Sequence, residues 1–171
     1  MTDFESLNPR TGEIIARHEN SNKEAVNSAV AKAAKSFETW GSLKYSERRR
    51  ILLTWKREIS NSSEDFAQLI ALETGKPIGD ARLEVSIAIA HLGWAAKKAE
   101  YYLKASRRKP GLLMFNMQAE VHRIPYGVIG VIGPWNYPMF TPMGSIAYAL
   151  AAGNTVVFKP SEFTPGVGKM L

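Results

Sequence analysis

Cysteine is missing from this chain, which removes disulfides, thiolate-bound metals and any thiol nucleophile from what these residues do by themselves. Histidine is scarce: His18, His91 and His122 lie far apart, with no spacing suited to a zinc site, and no metal is expected. No apolar run approaches the roughly 18 residues of a membrane span. The start, MTDFESLNPRTGE, is polar and acidic, unlike a secretory leader. A G-x-x-x-x-G-K-S/T loop is absent, which disfavours P-loop phosphotransfer. No internal repeat or low-complexity segment occurs. The simplest expectation is a cytoplasmic chain without a membrane partner.

What is present is 171 residues, 45 % hydrophobic and 22 % charged, enough for one ordinary domain with a core. The net charge of +6 raises the question of a polyanion partner. Its distribution argues against one. Residues 127–171 carry only Lys159, Lys169 and Glu162, and the upstream charges are mostly mixed along helices. The one dense patch, Arg107-Arg108-Lys109, reads as a solvated turn, so no nucleic-acid partner is expected.

Residues 1–20 read as an arm: two short extended pieces around the turn Asn8-Pro9-Arg10-Thr11-Gly12. Asn22 is placed to cap a helix to about Trp40, with Val26, Ala29, Val30, Ala33, Phe37 and Trp40 on one face. Ser46 would cap a second, with Ile51, Leu52, Trp55 and Ile59 as its buried stripe. A third opens at Ser63 and stops at Gly75-Lys76-Pro77. The fourth runs from Ile78 to about Leu103 through Leu83, Val85, Ile89, Leu92, Trp94 and Tyr101. After the basic turn, Leu112 to Ile124 looks extended, and outside any local hairpin its edges would need pairing, for example with another subunit.

The last third is the most informative. Val128 to Ile132 and Thr155 to Phe158 are short apolar runs suited to a buried parallel sheet. Between them, Thr141-Pro142 starts a helix and Gly153-Asn154 ends it; Thr164-Pro165 opens another. The fold class is therefore α/β. Gly127, Gly130 and Gly133 lack the G-x-G-x-x-G spacing and read better as close strand packing. Beyond the two strand ends stand Trp135-Asn136, between Pro134 and Pro138, and Lys159-Pro160-Ser161-Glu162. Carboxyl ends of parallel strands are where such sheets bind ligands. Asn136 alone is also an ordinary turn residue. Lys159 and Glu162 are also readable as a surface ion pair, with Ser161 and Glu162 capping the next helix. Both turns together favour a cofactor site.

PYGVIGVIGPWNYP, ALAAGNTVVFKPSEFTP and, upstream, LETGKP resemble the aldehyde dehydrogenase superfamily, and the likeness includes the NPRTGE start. It covers nearly all of the chain and roughly the first third of a usual member. The resemblance implies helices packed on a Rossmann-like parallel sheet, truncated within the cofactor domain: 1–111 as arm and helical part, 112–124 as oligomerisation strands, 125–171 as an incomplete β-α-β part, and the catalytic domain absent. It implies Asn136 as oxyanion donor. Ile132, Gly133, Pro134 and Trp135 would line the nicotinamide and its ribose, and Lys159, Ser161 and Glu162 would hold the adenosine ribose.

The implied reaction is oxidation of an aldehyde to a carboxylic acid with NAD, or NADP, through a thiohemiacetal and thioester on a cysteine. That cysteine and the Glu base of the family lie past residue 171, so the isolated chain is expected to be inactive; its half-built sheet would expose an unpaired edge and apolar helix faces, so poor solubility is expected too. The resemblance also implies a homo-oligomer in the full-length form. Glu162 beside the ribose favours NAD, since a carboxylate repels a 2′-phosphate. Where many relatives have a Lys nine residues past the Asn, this chain has Ser145, so a proton-relay role is not carried over. Residues around Met139 and Phe140 are candidates for one substrate wall. The competing expectations are a CoA-acylating relative and a short non-catalytic chain that binds nucleotide or joins an oligomer.

Overall fold

The computed structural model describes residues 3–171; Met1 and Thr2 of the arm lie outside the described residues. Strands β1 (Asp3–Leu7) and β2 (Ile14–Glu19) form an antiparallel hairpin. Asn8 closes its turn: the side chain accepts from the Arg10 N–H at 2.9 Å, and Gly12 takes the positive φ of 75°. Four helices follow: α1 (Lys23–Trp40), α2 (Tyr45–Asn61), α3 (Ser63–Thr74) and α4 (Ile78–Leu103). Asn22 caps α1 through the Ala25 N–H at 2.8 Å. Helix α2 begins one residue before Ser46, with Lys44 as its cap; the Glu47 carboxylate accepts the Lys44 N–H, a bond Ser46 does not make there.

The core lies where α2, α3, α4 and α5 (Phe140–Ala151) meet. Its α4 contribution differs from the periodic stripe of large residues. Leu83 is 60 % exposed and Trp94 and Tyr101 are also exposed, whereas Ala81, Glu84, Val85, Ala88, Leu92, Ala95 and Ala96 are buried. Small side chains win because α5 presents Ala147 and Ala151 in return, and two alanine-rich faces allow the axes to approach closely. On α1, Val26 and Val30 are likewise exposed; only the later part of the expected face, Ala33, Phe37 and Trp40, is partly covered. Ile51 of α2 is also exposed, although Leu52 and Ile59 are buried.

The segment after α4 differs most from expectation. Strand β3 (Ser106–Arg108) pairs antiparallel with β4 (Ala119–Val121), so the basic run is mostly strand, and the two form a local hairpin. Arg107 meets Glu120 across it at 3.5 Å. Leu112–Met114 make one 3₁₀ turn rather than extended chain, after Gly111 reverses direction at φ 93°. Leu113 and Phe115 remain in the open.

Strands β5 (Val128–Ile132) and β6 (Thr155–Lys159) pair in parallel, with Ile132 opposite Lys159. Helices α1 and α5 pack on this sheet, and α6 (Pro165–Met170) follows β6. The GNT turn into β6 is fixed from two sides. The Asn154 amide accepts the Gly127 N–H at 3.1 Å and donates to Ala149 O, while Thr155 Oγ1 donates to Ala33 O at 2.9 Å. Gly153 holds φ 97° beside the buried Arg48 guanidinium, which caps α5 by donating to Ala151 O. Burial lowers the Arg48 pKa, partly opposed by the charge interaction with Tyr45; Nε donates to Ala151 O and one Nη to Leu43 O.

Candidate active site at the carboxyl ends of the parallel strands

The two turns singled out in the sequence do stand side by side. The Gly133 N–H donates to Lys159 O at 2.9 Å, which extends the β5–β6 pairing into both turns. Gly133 cannot carry a side chain without crowding Phe158, whose ring lies 3.0 Å from where a Cβ would be. Ile132, 77 % exposed, and the exposed Trp135 present apolar surface at that end.

On the β6 side, a cleft of about 510 Å³ is lined by Lys159, Pro160, Ser161, Glu162, Pro165 and Gly168, with Phe4 and His18 of the hairpin opposite. Lys159 and Glu162 are exposed and paired at 3.4 Å. The Glu162 carboxyl is held below its ordinary pKa by its own backbone N–H and then by Lys159, so it is ionised at neutral pH. Ser161 is buried, and its Oγ accepts the Phe163 N–H at 3.2 Å. Its role in the local structure is thus to shape the turn.

Gly168 lets α6 touch that turn. A Cβ there would sit 2.3 Å from the Pro160 Cβ and 2.6 Å from its Cγ, and a proline ring has little freedom to yield. We expect Gly168→Ala to destabilise the protein by about 1–3 kcal/mol through overpacking. Urea unfolding checks this; a loss under about 0.5 kcal/mol would mean the contact is looser than described.

On the β5 side, Asn136 lies in a second cleft of about 350 Å³, with Lys76, Asp80, Leu83, Glu84, Ile87, Tyr137 and Phe140. Asn136 Oδ1 accepts the Tyr137 N–H at 3.1 Å. A donor there demands the amide oxygen, so the Nδ2 end is the one turned away from that bond. Phe140 lines this cleft, but Met139 does not: it is the residue just before α5 and its side chain is fully buried in the core. Ser145 is exposed on α5. Asn136 and the Lys159–Glu162 pair line separate clefts, and Ile132–Trp135, which lead directly into Asn136, line neither.

Three residues that hold these turns escaped the sequence reading. Glu84, buried, and Lys76, partly buried, form an ion pair at 2.6 Å behind Asn136. Glu73 caps α6, accepting from Gly166 and Val167 at 2.9 and 3.0 Å. The signal was available in part, since 81, 84, 85 and 88 share one helical face and a Glu among two alanines and a valine is anomalous there. A Cβ on Gly166 would lie 2.8 Å from Glu73 Oε1, so that glycine is needed for the cap.

Burial raises the Glu73 pKa, more than its two N–H donors lower it. The folded state then holds the proton more tightly than the unfolded chain. Glu73 therefore contributes stability at acid pH that is lost as pH rises past the ordinary carboxylate value. Glu73→Gln removes that titration, so the variant should gain on the wild type between about pH 4 and neutrality. Paired melts across that range read the difference; a flat or opposite trend contradicts the assignment.

Among the described residues no helix is long and apolar enough to cross a membrane, and no group of His, Cys, Asp or Glu is arranged to hold a metal. Comparison with known proteins gives a single answer. The model of the aldehyde dehydrogenase family matches residues 1–171. N-succinylglutamate 5-semialdehyde dehydrogenase of Burkholderia orbicola is 37 % identical over 166 residues, 97 % of this chain and 33 % of that protein. The crystal structure of PnpE in complex with nicotinamide adenine dinucleotide superimposes with a TM-score of 0.91 at 35 % identity, over 99 % of this chain and 34 % of that one. That of an E. coli NADP-dependent enzyme gives 0.90 at 28 % identity, over 98 % and 34 %. The chain spans about a third of the length of the relatives it matches, and it belongs to the aldehyde dehydrogenase family.

Proposed function

We propose that these residues supply the nucleotide cradle and the oxyanion donor of an enzyme that oxidises an aldehyde to a carboxylic acid with NAD. The observation that carries this reading is the pairing of Lys159–Glu162 and Asn136 at the carboxyl ends of adjacent parallel strands. The 510 Å³ cleft is of ordinary ligand size. Lys159 and Glu162 would exchange their mutual ion pair for ribose hydroxyls, with Ser161 holding their turn. Ile132, Gly133, Pro134 and Trp135 would border the nicotinamide end. A nicotinamide bound there supplies the hydride acceptor.

A cysteine thiolate, absent from these 171 residues, would attack the aldehyde carbon and push charge onto the carbonyl oxygen. The Asn136 Nδ2 group would stabilise that charge while the thiohemiacetal forms and again when the thioester is attacked. A glutamate base, also outside this chain, would activate the attacking water. Leu83, Ile87, Tyr137 and Phe140 would give one apolar wall for the aldehyde's tail, since the cleft's single cation, Lys76, is already paired. The protein would act as a homo-oligomer in the cytoplasm, with the β3–β4 segment and its exposed Leu113 and Phe115 in the subunit contact.

Cofactor choice is the sharpest test. An ionised Glu162 repels a 2′-phosphate, and Lys159 offsets only part of that repulsion. In the complete enzyme we expect a higher kcat/KM with NAD than with NADP, and Glu162→Gln should narrow the ratio about tenfold. An unchanged ratio would remove Glu162 from the ribose site. Absence of any aldehyde oxidation with either nucleotide would overturn the whole reading.

A further inference from the structure

The turn that bears Asn136 is gripped from behind by two charges from a different part of the chain. Lys76 lies between α3 and α4, and Glu84 lies on the buried face of α4 with its side chain 0 % exposed. Glu84 Oε1 accepts the N–H groups of Met139 at 3.0 Å and Phe140 at 3.2 Å. Glu84 Oε2 takes Lys76 Nζ at 2.6 Å. The same ammonium donates to the backbone carbonyl of Asn136 at 2.7 Å and stands 4.3 Å from the Tyr137 ring centroid. Asn136, Tyr137, Met139 and Phe140 are therefore all held by one ion pair.

A largely buried pair of this kind contributes little net stability compared with apolar residues of similar volume. What it contributes is direction. A hydrocarbon contact tolerates sliding, whereas charge-assisted bonds to named backbone atoms fix the turn in three dimensions. The Asn136 side chain is itself tied to the turn through its bond to the Tyr137 N–H.

We propose that Lys76 and Glu84 are positioning residues for the Asn136 amide, setting where its Nδ2 group stands relative to a developing oxyanion. This rests on the reading of Asn136 as the oxyanion donor. Misplacing a catalytic group by about 1 Å costs on the order of a hundredfold, so a partial loosening should cost less than loss of the amide.

The test uses the complete enzyme carrying Lys76→Met together with Glu84→Gln, so that neither charge is stranded and Gln still accepts from the α5 N–H groups. We expect kcat to fall about 10- to 30-fold, with NAD affinity and aldehyde KM within about twofold of wild type. Lys76→Arg alone, which retains a cation there, should recover most of kcat. In an Asn136→Ala background the paired change should cost less than about twofold further, because it acts through a group already removed. A full 10-fold further loss, or an unchanged kcat in the first variant, would overturn the proposal.

If Asn136→Ala itself leaves kcat unchanged, the oxyanion reading is what fails. Crystal structures of the variants then decide positioning by themselves. The Asn136 amide should be displaced by about 1 Å or more in the paired variant and in place in Lys76→Arg; an unmoved amide in the paired variant rejects the proposal.

Discussion

Asn136→Ala should lower kcat of the complete enzyme by about a hundred- to a thousandfold, the usual cost of removing one oxyanion donor. The effect should fall on formation and breakdown of the tetrahedral species and spare NAD binding, because Asn136 lines the β5-side cleft while Lys159 and Glu162 line the other. Asn136→Asp should be at least as damaging. It keeps the acceptor for the Tyr137 N–H at the Oδ1 position but replaces the outward amide with a negative charge facing a developing negative charge. The pair of variants separates electrostatics from shape, since Asp is nearly isosteric with Asn and Ala is not. Transient kinetics of the hydride step, with nucleotide titrations alongside, give the readout. A kcat within threefold of wild type in Asn136→Ala would remove the amide from the chemistry.

The second large effect is on stability. Glu84→Ala strands the Lys76 ammonium near the protein interior and leaves the Met139 and Phe140 N–H groups without their acceptor. Breaking one partner of a buried pair typically costs about 3–5 kcal/mol, much of it the penalty on the survivor. Against a usual total of about 5–15 kcal/mol this is severe. Replacing both members, Lys76→Met with Glu84→Leu, should recover part of the loss, because the stranded ammonium is gone, although the Met139 and Phe140 N–H groups and the Asn136 carbonyl then lose their partners. Denaturant midpoints of the two variants make the comparison. A single-variant loss below about 1 kcal/mol would show that water reaches the pair in solution.

The sequence carried the element order well because its punctuation is local. Asn22, Gly75, Pro77, Gly153 and Pro165 each act on the backbone within a turn of where they stand, so helix ends fell within a residue or two of their expected places. The paired turns after β5 and β6 were legible for the same reason. What was missed is non-local. Which face of α4 is buried depends on α5, whose Ala147 and Ala151 favour alanines over the larger Leu83 and Trp94. The Ser106–Arg108 strand was hidden because its arginines read as solvated, although a strand exposes both faces without penalty when its backbone bonds are met by a neighbour. Glu84 and Glu73 resemble surface charges until the helix termini they cap are known to be adjacent.

The clamps on the two turns have a bearing on the order in which this protein is built. Glu84 meets Met139 across 55 residues of chain, and Glu73 meets Val167 across 94. Contacts this distant in sequence tend to close late, because closing the long loop between them costs chain entropy before the contact repays it. On a ribosome, α2, α3 and α4 can collapse into a bundle before either turn has been synthesised, with Glu73 and Glu84 still solvated. Each carboxylate then loses its water as its helix arrives, so the candidate site should be the last part of these 171 residues to set and the first to loosen.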